Sequence, residues 1–260
     1  MPELKIAIQL ASLRQPLQQG LLTAARLGAA AVEIDARGEV RAADLSRTGV
    51  RHVRKLLDDY GLRVCAVGFQ TRRGYDVADD LQRRVEATRQ AMQLAAWLGA
   101  AVVVNQVGRV PDAAEGPAWN SLVEVLTDLG RHGQRVGALL AARTGTESGA
   151  DLARLLDALP EGSIGVDLDP AGLITGGHSP REAVQSLGGA ILHVHARDAT
   201  RDLALGRGTE VPLGRGTADF PELLGLLEQH NYRGWLTIER TGGPDPVAEI
   251  GLAVEYLKNL

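Results

Sequence analysis

SIGVDLDPAGLITGGHSPREAVQSLGGAILHVHARD, Ser163 to Asp198, holds one complete strand–helix–strand unit. Two short apolar runs, SIGVDL and AILHVHA, flank a longer and more polar segment. Runs that are apolar throughout suit parallel strands buried on both faces. A helical crossover between them makes the pair parallel and the connection right-handed. Working outward, the same runs recur as KIAIQL, AAVEID, RVCAVG, AVVVNQ and VGALLA before this unit and WLTIE after it. Segments of helical spacing separate them, such as VADDLQRRVEATRQAMQLAAWLG, closed by Gly99, and FPELLGLLEQHNYRG, closed by Asn231 and Gly234. Both endings carry helix stop signals. Eight strands, each followed by a helical segment, predict a single (β/α)₈ barrel with residues 1–260 as one domain. No glycine-rich phosphate fingerprint follows the first strand, which argues against an open doubly wound sheet.

Composition narrows the classes. The chain has 260 residues, is 45% hydrophobic and carries a net charge of -4, a balance unlike the clustered positive face of a nucleic-acid binder. Its one cysteine, Cys65, lies in the apolar run LRVCAVGF and reads as core. A chain that cannot form an internal disulfide suits a reducing compartment. MPELKIAIQL lacks the layout of a signal peptide, and no apolar run reaches the ~20 residues of a membrane helix. The expectation is a cytoplasmic protein with neither nucleic-acid nor membrane partners.

Barrel chemistry sits where strands end and the following loops begin. The strand exits here are Arg143 in LLAART, Asp169 in GVDLDP, His195 in LHVHARD and Glu239 in LTIER. Period-two alternation places Asp167 with Asp169, His193 with His195, and Thr237 with Glu239 on the inward face. Glu33, in AVEIDAR, ends the second strand. An arginine at a core strand's mouth needs a buried negative charge, and Asp169 with Glu239 would supply it.

These motifs resemble the xylose-isomerase-like TIM barrels, which include sugar phosphate isomerases and epimerases, hydroxypyruvate isomerase, ketose 3-epimerases and inosose dehydratase. The likeness covers nearly the whole chain. It is most specific in GVDLDPAGLI, ILHVHARD, VPLGRGTADFPELL and YRGWLTIER. It implies one divalent metal (Mn, Mg, Co or Zn), held in relatives by Glu, Asp, His and Glu from strands five to eight. Asp169, His195 and Glu239 match three of those positions; Arg143 stands at the fourth, where relatives read approximately L-E-T-G. A guanidinium and a metal ion in one cavity repel by about 4 kcal/mol per pair of unit charges at ~4 Å and an effective dielectric near ~20. Either Arg143 replaces the metal, or it turns outward to hold an anionic group over a degenerate three-ligand site.

Further residues carry two readings each. His193 is a core imidazole or a substrate contact, and Glu33 an ion-pair member or a substrate contact. Asp198 is a cap or part of the pocket that H-x-K/R-D lines in relatives. Arg215, in the glycine-rich stretch LGRGTEVPLGRG, is a solvated loop residue or part of a lid over the substrate. The resemblance implies an isomerase or epimerase of a small sugar, keto-sugar or sugar phosphate, working by proton abstraction beside a carbonyl. Glu239 would be the base, Arg143 the electrophile and His195 or His193 a proton relay. Loss of a second base suits isomerisation or dehydration better than epimerisation. The alternative is a catalytically reduced barrel that binds a sugar or acid without turnover. Relatives are dimers or tetramers, so a homo-oligomer stays open.

Overall fold

The computed structural model describes residues 4–42, 46–202 and 207–260. Eight parallel strands close on themselves: β1 (Lys5–Gln9), β2 (Ala31–Asp35), β3 (Arg63–Gly68), β4 (Val102–Asn105), β5 (Leu139–Arg143), β6 (Gly165–Leu168), β7 (Ile191–Ala196) and β10 (Trp235–Ile238). Each pairs with its neighbour in order, and β10 returns to β1 with Lys5 beside Trp235 and Ile8 beside Ile238. The helices between them are α1 (Leu17–Arg26), α2 (Arg47–Asp59), α3 (Leu81–Leu98), α4 (Gly116–Val136), α5 (Gly149–Asp157), α6 (Pro170–Gly176), α7 (Pro180–Leu187), α8 (Phe220–Gln229) and α9 (Pro246–Lys258).

The main core lies between strands and helices, because each parallel strand turns one side chain in two toward the helix layer. α3 shows the complement: Val85, Thr88, Met92, Ala95 and Leu98 recur at helical spacing and are buried. Inside the barrel the lower layer is small, built from Ala7, Ala31, Ala66 and Ala141 with Val102, Val104 and Cys65. Apolar side chains fill this end, and the polar groups gather above it.

Two departures from the sequence reading concern boundaries. VGALLA does not open a strand at Val136; that residue ends α4, Gly137 caps it in the left-handed region at φ 83°, and β5 starts at Leu139. The long loop after the seventh strand is partly ordered as an antiparallel hairpin, β8 (Asp198–Asp202) with β9 (Arg207–Val211). Among the described residues no helix is long and apolar enough to cross a membrane.

Candidate active site

Strand register assembles the polar layer. Arg143 lies beside Asp167 across β5–β6, and His195 beside Thr237 across β7–β10. The β6–β7 register slips by one between Val166 and Asp167, which brings Asp167 opposite His193. A second slip, between Val32 and Glu33, sets Glu33 opposite Ala66. Such irregularities re-aim side chains beside sites. Here they deliver the two carboxylates that bracket His195.

Asp167 is the hub of the layer. It is fully buried and takes His193 Nδ1 at 2.8 Å and His195 Nδ1 at 2.8–2.9 Å. With Nδ1–H donating to the carboxylate, the opposite nitrogen of each ring is directed elsewhere. His193 Nε2 lies 2.7 Å from the Thr237 hydroxyl, and His195 Nε2 lies 2.9 Å from Glu33 Oε2 and 3.3 Å from Glu239 Oε2. Gln9 Nε2 donates to Glu33 Oε1 at 2.9 Å, and Ser12 in turn donates to Gln9. A side chain at Gly68 would meet Glu33 Oε1 at 2.8 Å, so the glycine leaves room for this carboxylate.

These contacts set the protonation states. Burial alone would push the His195 imidazolium down, but Asp167 and Glu33 reverse this and raise it to about 10, against a smaller opposing push from Arg143. Burial would raise Glu33, yet His195, with smaller help from His193 and Gln9, holds it at about 2. Asp167, desolvated but facing both imidazoles, is likewise held well below the usual carboxylate range. At neutral pH His195 is thus a cation between anions.

Arg143 points inward. Its Nε and Nη2 donate to Asp169 Oδ2 at 3.0 and 2.7 Å, and Nη2 also donates to Glu239 Oε2 at 2.7 Å. Burial works against its charge, but Asp169, Glu239 and Asp167 hold the guanidinium firmly protonated. A second guanidinium joins it: Arg197 Nη1 donates to Asp169 Oδ2 at 2.7 Å, and Arg197 Nε lies 3.7 Å from Glu239 Oε1. Asp169 also accepts Gly172 N on its other oxygen at 3.0 Å, capping α6. It is cap and ion-pair partner at once.

This geometry tests the metal set that the resemblance implies. Nη2 of Arg143 is within 2.7 Å of both Asp169 Oδ2 and Glu239 Oε2, where an ion would bridge them, and Arg197 adds a second positive charge. Asp169, His195 and Glu239 therefore do not fit a divalent ion as arranged. The group that could hold one is Glu33, His193 and His195, whose ligand atoms lie within 4.8 Å of one another. An ion there would compete with the His195 proton and with the His193–Thr237 bond.

Other expected residues fall elsewhere. Asp198 faces backbone rather than the site: its carboxylate accepts the N–H groups of Ala199, Gly214, Gly216 and Ala218 at 2.7–3.1 Å. A side chain at Gly216 would collide with it, at 2.1 Å from Oδ1. Asp198→Ala is expected to destabilise the protein by about 1–3 kcal/mol, because buried N–H groups lose their acceptor, and to speed proteolysis in the β8–β9 hairpin. Arg215 is exposed in the turn after β9, where its backbone N–H donates to Pro212. Glu147, in the turn after β5, is buried, and burial raises it to about 7 despite a bond from Thr146.

Sequence reasoning passed over Glu210 and Arg240 and gave Arg197, the basic position of H-x-K/R-D, no role of its own. Arg197 shares the parity of His193 and His195, a signal that could have found it. Glu210, on β9, lies 3.6 Å from Arg197 Nε and 3.3 Å from Arg240 Nη1, and accepts the backbone N–H of Thr241 and Gly242. It ties the hairpin to the loop after β10, a contact between residues 31 apart that no local pattern announces.

The ion cluster makes stability depend on pH, with opposite signs on the two sides. His195 is raised from 6.5 to about 10, so its contribution is complete below 6.5 and is lost as pH climbs toward 10. Glu33 is depressed from 4.5 to about 2, so its contribution is complete above 4.5 and is lost as pH falls toward 2. Thermal melts in chelator are expected to plateau between these limits and decline on both sides. His195→Gln should flatten the alkaline decline.

Comparison with known proteins places this geometry in context. The family model described as xylose isomerase-like TIM barrel matches residues 21–260. A rhizopine catabolism protein, MocC, from Rhizobium meliloti is 27% identical over 94% of this chain and 81% of its own length. An inosose dehydratase from Bacillus thuringiensis is 24% identical over 48% of each chain, so the chain spans about half the length of that relative. A xylose isomerase domain protein from Planctomyces limnophilus superposes with a TM-score of 0.87 at 24% identity, covering 99% of this chain and 97% of that one. A xylose isomerase-like TIM barrel protein from Mycobacterium smegmatis, solved in complex with magnesium, superposes at 0.79 with 16% identity, covering 99% and 96%. With a closed eight-stranded barrel, its polar layer at the strand ends and a family match along nearly its whole length, this chain belongs to the xylose isomerase-like TIM barrel family.

Proposed function

We propose that this barrel removes a proton from carbon next to the carbonyl of a small sugar or keto-sugar, with guanidinium groups in the electrophilic role that a metal plays in its relatives. One observation carries the reading: Arg143 bridges Asp169 and Glu239 inside the barrel, with Arg197 alongside. Glu239 is the base: it follows the last barrel strand and faces Arg143 and His195, at the position where the resemblance implies a proton-moving glutamate. As Glu239 takes the proton, the carbonyl oxygen becomes an enolate oxygen, which Arg143 or Arg197 receives by a charge-assisted hydrogen bond. In isomerisation Glu239 returns the proton to the neighbouring carbon while the hydroxyl proton of the first carbon passes to the enolate oxygen, so that the carbonyl moves by one carbon. Glu33 Oε2 and His195 Nε2 face each other at 2.9 Å, while Arg197 Nε is buried with its nearest carboxylates, Glu210 and Glu239, at 3.6 and 3.7 Å, which leaves it to meet a substrate oxygen.

Dehydration is the second reading, and His195 favours it. A cation at neutral pH, 3.3 Å from Glu239, can give its Nε2 proton to a leaving hydroxyl, which departs as water. The substrate in either case is a small carbohydrate.

The test is incubation of chelated enzyme in D₂O with a panel of keto-sugars and inososes, followed by proton NMR. Deuterium entering the carbon beside the carbonyl supports the reading, and loss of a hydroxyl in the same product selects dehydration. If no compound exchanges although at least one binds, the barrel is a binder without turnover and the reading fails.

A further inference from the structure

Away from the barrel centre, a cleft of about 500 Å³ opens between the loops after β2 and β3 and the start of α3. Its walls carry Arg37, Arg72, Arg73, Arg83 and Arg84 against a single carboxylate, Asp80. Five guanidiniums in one concavity are a marked local excess in a chain whose net charge is -4.

Three of the five are fixed by the fold. Arg37 Nη1 donates to the Gln70 carbonyl at 2.7 Å, and Arg73 pairs with Asp79 at 3.0 Å. Arg84 donates to the carbonyls of Val77 and Asp79, which leaves its Nε buried without a partner. Arg72 and Arg83 are exposed.

The helix end at this cleft is also unfinished. Asp80 sits at φ 54° and its side chain makes no capping bond, and no acidic residue occupies the first turn of α3. That turn instead holds Arg83 and Arg84, positive charges at the positive end of an 18-residue helix dipole. The exposed Arg72 and Arg83 lie on this concavity at the positive end of the helix dipole, a combination suited to an oxyanion. Thr71, on the cleft wall, donates its backbone N–H to Asn105 Oδ1 at the end of β4.

We propose that this cleft binds a phosphate monoester, its oxygens taken by Arg72, in the loop after β3, and Arg83, in the first turn of α3. The site is independent of the proton-transfer reading and would stand if that reading failed. Inorganic phosphate is the probe, titrated calorimetrically at constant ionic strength into the wild-type chain and an R72A/R83A variant. Both replaced side chains are exposed, so circular dichroism should show an unchanged fold. The wild type is expected to bind one phosphate saturably, and the variant to bind at least ~10-fold more weakly, as loss of charge-assisted hydrogen bonds predicts. Fructose 6-phosphate then separates two sources of the group. If it displaces phosphate and exchanges deuterium beside its carbonyl, the cleft holds the substrate's own tail. If it displaces phosphate without exchange, the cleft serves a separate phosphorylated ligand. Absence of saturable binding below about 10 mM, or equal binding by R72A/R83A, overturns the proposal.

Discussion

Replacing Arg143 with methionine is expected to destabilise the protein by about 3–5 kcal/mol, because the change leaves Asp169 and Glu239 buried with much of their compensation removed. Both carboxylates are almost inaccessible to solvent, and Arg143 Nη2 contacts each at 2.7 Å. Urea denaturation measures the loss. Arg143→Glu tests the same cavity from the other side. It removes a cation and supplies the carboxylate that relatives carry at this strand end, so the site becomes Glu, Asp, His and Glu. The variant is expected to bind about one manganese or zinc ion per chain, read by metal analysis and calorimetry, as an oxygen- and imidazole-rich site should. Arg197, still 2.7 Å from Asp169, will weaken that affinity, and Arg197→Gln in the same chain should strengthen it. If the double variant takes up no ion, Arg143 is not what excludes metal from Asp169 and Glu239.

The second large effect is expected at Glu239. Glu239→Gln keeps the shape and a hydrogen-bonding oxygen for Arg143 but removes the base, so kcat should fall by about 10²- to 10⁴-fold with KM little changed. Deuterium exchange beside the carbonyl should disappear in parallel. His195→Gln separates the two reactions. It should abolish loss of the hydroxyl while sparing part of the exchange, because exchange needs only the base and the guanidinium. A Glu239→Gln enzyme with undiminished exchange would move the base to Glu33.

Much of this was legible in the sequence, for identifiable reasons. A parallel strand buried on both faces must read as an apolar run, so AVVVNQ and AILHVHA announce themselves and their count implies a closed barrel. Alternation turned His193, His195, Asp167 and Glu239 inward, and Arg143 meets the Asp169 and Glu239 carboxylates as its charge requires. The hub role of Asp167 was not legible, because it depends on a one-residue slip between β6 and β7 that composition does not encode. Glu33 was open between ion pair and substrate contact for the same reason; a register slip on β2 sets it against His195. The β8–β9 hairpin was hidden by the glycines and proline of LGRGTEVPLGRG, which read as loop until the partner strand supplies hydrogen bonds. Asp198 was legible as polar and near the site, but not as the acceptor for four backbone N–H groups that arrive from up to 20 residues later.

Glu210 has a consequence for what can bind at the barrel rim. It links the hairpin to Thr241 and Gly242, flanked by Arg197 and Arg240. An oxyanion arriving at this rim would be the natural rival of Glu210 for the two arginines it engages, so that binding there exchanges one negative group for another.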